Sequence, residues 1–248
     1  YLFSSAGATP RMAFYRITMK STLATLTAFA AFLCSSQAAI VWTGATSTDP
    51  FDDSNWDFSG SGVSAVDANV SVADDLLIAN GTIEIPNLAG QQRVQIGNGF
   101  AMTLDNSTLG LVAGGNDGTG GQPGSAGVNI NLTNGSQFNP FFIVNAVSLD
   151  IDSTSSATFG GGGNPVNIST INLTFGSTLA FRAETPAAFT AEHLGKITVN
   201  GAPAVDGVNI QIAPFNGASG SVITAIPEPS SAVLLGFAGL ALVLRRRK

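Results

Sequence analysis

Three observations predict an all-β body built as a single-stranded, right-handed parallel β-helix. First, four segments share one pattern: 102–109, 128–138, 147–159 and 171–181. Each reads as an alternating strand, a polar turn containing serine, and a second short alternating strand. Second, Leu132, Ile151 and Leu173 recur at a spacing of about 20 residues, within the range of solenoid repeats. A coil of that size cannot bury its apolar face alone, but stacked coils form one continuous core. Third, Gly, Asn, Ser and Thr are abundant and long helical periodicity is absent. On that period the body predicts roughly seven to nine coils. A β-sandwich is the alternative, because its strands also recur every 8–12 residues or so with turn signals.

In chain order, residues 1–18 contain Arg11 and Arg16 and no apolar run. They read as a leader outside the translated protein or a mis-assigned one, with the start at Met19 or Met12. Met19-Lys20 then opens an apolar stretch that ends in Ser36-Gln37-Ala38-Ala39. A basic start, an apolar middle and small residues at the end make a secretory signal peptide over 19–39. Cys34 is the only cysteine and leaves with it. The exported body, 40–213, is therefore expected to hold no disulfide and no thiol chemistry.

Of the 16 acidic residues, all but Glu228 fall in that body, against the basic residues Arg93, Arg182 and Lys196. This balance excludes a nucleic-acid partner, which requires a cationic surface. The body opens with Val41-Trp42-Thr43-Gly44, an acidic loop over 49–53, and Asn55-Trp56. This Trp-x-Gly and Asn-Trp pairing resembles the first coil of exported β-solenoid and autotransporter-like proteins. Two roles fit the aromatics. Trp42 and Trp56 can cover the open end of a stacked core, or they can form a stacking platform for sugar rings. Turns follow at Asn80-Gly81 and Gly97-Asn98-Gly99. The segment 114–127 reads as a low-complexity loop. Thr185, Pro186 and Gly195 bracket a short helix that covers an end or an edge. A hairpin-like pair completes the body, and 214–226 reads as a linker beyond it.

Candidate chemistry is sparse, and the reading is of a protein without an active site. His193 is the only histidine; without cysteine it cannot build a His–Cys zinc site, and it reads as a surface helix residue. No metal and no cofactor are expected. Asp150 and Asp152 alternate along one strand and share a face, so they are the candidates for a glycosidase or polysaccharide lyase pair. A solvated outer face opposite Leu149 and Ile151 explains them without chemistry. Asp52-Asp53, Asp74-Asp75 and Asn116-Asp117-Gly118 offer oxygen ligands without the spacing of a calcium loop. Several Asn-x-Ser/Thr triplets, including those at Asn106, Asn131, Asn134, Asn167 and Asn172, follow from composition.

The end of the sequence is more specific. Pro227-Glu228-Pro229 precedes the uncharged, apolar run 230–244, and Arg245-Arg246-Arg247-Lys248 follows. The prolines hold the first part extended. The run reads as a transmembrane helix about 22 Å long, short of the ~30 Å hydrocarbon core. The four cations keep their end cytoplasmic. These three features in this order resemble the PEP-CTERM sorting signal of exported bacterial proteins, over 227–248. The resemblance implies processing by an exosortase from a transient inner-membrane intermediate, with Pro227, Glu228 and Pro229 as the recognised motif. The expected role is a cell-surface or extracellular-matrix structural protein associated with exopolysaccharide. A carbohydrate-binding adhesin is the second reading and a β-helix polysaccharide lyase or glycosidase the third.

Overall fold

A computed structural model describes residues 39–227, apart from 64, 66–70, 73, 86–92, 112–117, 122, 124, 216 and 218. The body is a parallel β-solenoid of about four turns. Its first sheet is stacked in parallel from β1 (Ala39–Trp42), β4 (Asp75–Ala79), β7 (Ala101–Asp105), β10 (Val128–Thr133), β13 (Val147–Ile151), β15 (Thr170–Leu173) and β17 (Ile197–Val199). The second sheet holds β5 (Thr82–Ile85), β8 (Thr108–Leu111), β11 (Gln137–Asn139), β14 (Ser156–Phe159) and β16 (Thr178–Phe181). The third holds β3 (Ser71–Val72), β6 (Val94–Ile96), β9 (Gly118–Gly121) and β12 (Phe142–Val144). Successive coils pair in parallel, which excludes the hairpins a β-sandwich would require.

Register stacks the inward side chains in columns. One runs Ile40, Leu76, Met102, Ile130, Leu149, Ile171, Ile197, and all are buried. The next runs Ile78, Leu104, Leu132, Ile151, Leu173, Val199. On the second sheet Ile83, Leu109, Phe138, Ala157 and Leu179 form a third. Burying each Leu, Ile or Phe contributes about 1.5–3 kcal/mol. The alternation seen in the sequence is therefore one face of each strand.

The corner between the first two sheets shows why those strands turn where they do. Asn80, Asn106 and Asn134 adopt left-handed backbone conformations, with φ of 54°, 48° and 57°. Asparagine tolerates this region better than most L-residues. The Asn106 Nδ2 donates to Asn80 Oδ1 at 2.7 Å. Serines point inward just after the second and third of these asparagines, Ser107 one position past Asn106 and Ser136 two past Asn134. Ser107 Oγ accepts from the Gly81 amide at 3.1 Å, Ser136 Oγ from the Ser107 amide at 3.1 Å, and Ser155 Oγ from the Ser136 amide at 3.0 Å. The Ser107 hydroxyl faces the Ile78 and Asp105 carbonyls, and the Ser136 hydroxyl faces those of Leu104 and Thr133. Ser177 holds the next position and is buried, but its hydroxyl has no hydrogen-bond partner among the described residues, so the chain of serine bonds ends at Ser155. A second corner repeats the device: Ser169 Oγ accepts from the Val147 amide and donates to the Asn145 carbonyl, beside left-handed Asn145 and Asn167. Three of the residues dismissed as compositional triplets, Asn106, Asn134 and Asn167, are thus corner residues.

The same bonds explain the number of turns. Corner partners lie 26, 29 and 19 residues apart, so the 20-residue spacing describes only the tighter coils. The third sheet stops after β12, and the coils beyond it have strands in only two sheets. Among the described residues, seven parallel strands stack in the first sheet but only four in the third, and the solenoid makes about four turns, fewer than the seven to nine coils expected. The segment 114–127 is not wholly a loop. Gly118–Gly121 is β9, held by backbone pairing between β6 and β12 with Thr119 buried inside. The expected linker over 214–226 is also corrected. β19 (Ile210–Phe215) and β20 (Gly220–Ala225) form an antiparallel hairpin, and β20 pairs with β16. Gly and Ser there serve the hairpin turn and close packing: a Cβ on Gly220 would lie 2.4 Å from the Phe181 carbonyl oxygen.

Ser136→Ala removes an inward acceptor and leaves the buried Ser107 amide without its bond. The expected cost is about 1–3 kcal/mol, read as a lower urea midpoint at unchanged m-value. Ser153→Ala, on the exposed side of a neighbouring turn, should stay within about 0.5 kcal/mol of the wild type.

Candidate functional site

Candidate chemistry lies in three places: the first coil, the outer face of β13, and the cap after β16. In the first coil, β2 (Trp56–Asp57) turns back antiparallel on β1 and sets Trp42 opposite Trp56. The rings meet edge to face, with centroids 4.9 Å apart, a favourable aromatic geometry. Both indoles are buried, at 4% and 6% exposure. Trp56 Nε1 donates to the Pro50 carbonyl at 2.8 Å. The Trp42 ring lies over Gly81, where a Cβ would come within 2.7 Å of it. Both indoles keep little exposed surface, an arrangement that suits an end cap. The acidic loop is gathered around buried Asn55. Its Oδ1 accepts from the Thr46 and Ser47 amides and the Thr46 hydroxyl, and its Nδ2 donates to Ser47 Oγ and the Asp49 carbonyl. The sequence gives only the Asn-Trp pair as a signal for this hub. Beside it, an open cleft of about 420 Å³ is lined by Trp42, Gly44, Thr46, Ser47, Thr48 and Thr82, among others.

The acidic pairs considered for calcium are engaged with the chain. Asp52 caps a single 3-10 turn over Asp53–Asn55. Bonds from the Ser54 hydroxyl and amide lower its pKa. Asp74 accepts from the Ser61 hydroxyl and the Asp75 amide, and Asp75 accepts from the Ala101 amide. Asn116 and Asp117 lie outside the described residues.

Asp150 lies on β13 and Asp152 just past its end, and each has structural partners. Asp150 Oδ1 accepts from Asn172 Nδ2 at 2.9 Å, within a row that continues to Thr198. Asp152 accepts from the Asn134 amide at 2.8 Å and from the Thr154 amide and hydroxyl at 2.9 and 3.0 Å. Of the cations that an enzyme would place nearby, Lys196 Nζ donates to Asn164 Oδ1 and the Asn167 carbonyl. The Arg93 guanidinium lies 5.7 Å from the Phe142 ring centroid.

Burial raises the Asp152 pKa, but bonds from Ser155, Asn134 and Thr154 outweigh it, and the net shift is below the ordinary 3.8. A depressed folded-state pKa gives stability that is present above the unfolded value and lost as pH falls through the folded one. Asp152→Asn should therefore cost about 1 kcal/mol at neutral pH. The difference from wild type should close as pH drops below about 3.8, measured by urea titrations across pH 2–7 or so.

The cap after β16 departs most from expectation. The helix α1 (Pro186–Glu192) has Thr185 at its N-cap, whose hydroxyl accepts from the Ala188 amide, and Pro at its start. His193 caps the C-terminal end, earlier than Gly195. His193 is not a surface residue: it is 0% exposed. Its ring stacks on Phe181 with centroids 5.2 Å apart and planes 7° from parallel. Its Nε2 lies 2.8 Å from Glu184 Oε2, and Glu184 is buried as well. Burial pushes the Glu184 carboxyl above its ordinary range, and the His193 bond and charge draw it only partly back. The helix was expected from its caps, but its inward-facing His and the buried Glu partner were not.

The sorting residues lie almost wholly outside this structure. Pro227 is described and exposed; Glu228, Pro229, the run 230–244, Arg245, Arg246, Arg247 and Lys248 lie outside the described residues, as does the signal peptide apart from Ala39. Among the described residues no helix is long and apolar enough to cross a membrane. No characterised protein and no solved structure matches the chain. Residues 225–248 do match the family described as the PEP-CTERM protein-sorting motif, so the chain carries that motif after its β-solenoid, and the motif implies an exported protein processed by an exosortase through a membrane-anchored intermediate.

Proposed function

We propose that the protein is a non-enzymatic structural component of the cell surface or extracellular matrix, associated with exopolysaccharide. The observation that carries this reading is the outer face of the second sheet. Thr82, Thr108, Gln137, Ser156 and Thr178 stand in register on successive coils. Strands in a sheet lie about 4.8 Å apart, so these side chains form a regular, uncharged row of hydroxyl and amide groups. Such a row suits a hydroxyl-rich polymer, to which it offers donors and acceptors without charge. Structural partners for Asp150 and Asp152 favour this role over a lyase or glycosidase. The carbohydrate-binding adhesin is the second reading. The cleft beside Trp42, with Thr46, Ser47, Thr48 and Thr82 in its lining, favours it.

Exosortase processing is tested by the intact mass of the exported protein. The expected molecule lacks the apolar run and the basic end, and Glu228→Ala should leave the precursor uncut. A surface molecule that retains Lys248 in a cell with the enzyme overturns the processing. The matrix role is tested by co-sedimentation with the cell's own exopolysaccharide. Wild type should pellet with the polymer, and replacement of Thr108, Gln137 and Ser156 by glutamate should weaken this by tenfold or more. Equal pelleting of both proteins, or none by either, overturns the proposed face.

A further inference from the structure

We propose that Glu184, Glu192 and His193 form a zinc-class metal site at the C-terminal cap. One ligand atom from each residue lies within 4.8 Å of the other two. Glu184 and His193 are 4% and 0% exposed; their Oε2 and Nε2 face each other at 2.8 Å, while buried Glu184 Oε1 and His193 Nδ1 have no hydrogen-bond partner among the described residues. Buried polar groups normally find partners, and those that do not call for an explanation such as an ion. Here two such side chains converge on one point. Glu192 is exposed and completes the set from the last turn of α1.

The geometry fits a small borderline cation. Zinc binds imidazole nitrogen at about 2.0–2.1 Å and carboxylate oxygen at about 2.0–2.2 Å. Three donors around one ion then lie within about 4.3 Å of one another. In a tetrahedral site such donors sit about 3.4 Å apart, so closing the present set asks for roughly 1–1.5 Å of movement, which the exposed Glu192 side chain can supply. Calcium prefers six to eight or so oxygen donors and is poorly served by one imidazole. Charge agrees: two carboxylates and a neutral imidazole balance a divalent ion. Lys196, the nearby cation, is held by Asn164 and Asn167. The ion would tie the loop after β16 to α1, so its expected effect is to stabilise the cap.

The test uses the exported protein purified from its cells, stripped with a chelator and then titrated with Zn²⁺, Co²⁺ or Ca²⁺. Zn²⁺ should raise Tm, because it binds the folded state alone, and Co²⁺ should give visible ligand-field bands. Glu192→Gln should leave the metal-free Tm unchanged and weaken Zn²⁺ binding about 10–100-fold. Glu184→Gln should abolish the Co²⁺ bands. The proposal is overturned by a Tm that Zn²⁺ does not raise, by Zn²⁺ affinity unaltered in Glu192→Gln, or by Ca²⁺ stabilising as strongly as Zn²⁺.

Discussion

The corner between the first and second sheets is the constraint on which the solenoid depends. There the backbone reverses inside a protein core, and its amides point where no strand can receive them. A buried amide without a partner costs about 1–3 kcal/mol, as much as burying one core leucine or isoleucine contributes. Stacked serines resolve this by accepting from the amide of the preceding coil. Left-handed asparagines set the direction of the turn. The corner also fixes register. Because the serine bonds and the second-sheet apolar column share the same coil-to-coil offset, a one-residue slip would break the bonds and turn every inward side chain outward.

A parallel stack has a second constraint, its two ends. The first end is closed by β2, paired antiparallel on β1, and by two indoles over the core. The other end is closed by β18 (Ala202–Pro203) on the first sheet, by the β19–β20 hairpin on the second, and by α1 with buried Phe189. Antiparallel pairing reverses the chain at the edge strand and ends the parallel repeat. The aromatic run Phe159, Phe181 and His193 continues the core into that cap, where stacked rings replace the aliphatic columns.

The solenoid was legible in the sequence because its signal is local and repeated. Alternation, a serine turn and a second strand describe one coil, and every coil restates them. The coil count was not legible, because the period drifts where segments such as Gly114–Gly127 are inserted, and a strand such as Gly118–Gly121 has no side-chain pattern to reveal it. Its pairing partners make it a strand. The closing hairpin was missed for a related reason: Gly220 and Ser221 resemble linker residues, yet the close approach of Phe181 requires the glycine. The Glu184–His193 pair was invisible because the two residues are brought together by the loop and helix between them, and no spacing rule connects them. The sorting motif was legible because composition alone carries it.

The last strand gives the processing step an unusual clearance. β20 ends at Ala225, whose amide is bonded to the Ser177 carbonyl, and Ile226 is bonded to Asn209. Pro227 follows immediately. The folded body therefore approaches the sorting motif without a spacer. Cleavage at or near the motif would therefore take place within a few residues of a strand that is bonded into the body at Ser177 and Asn209.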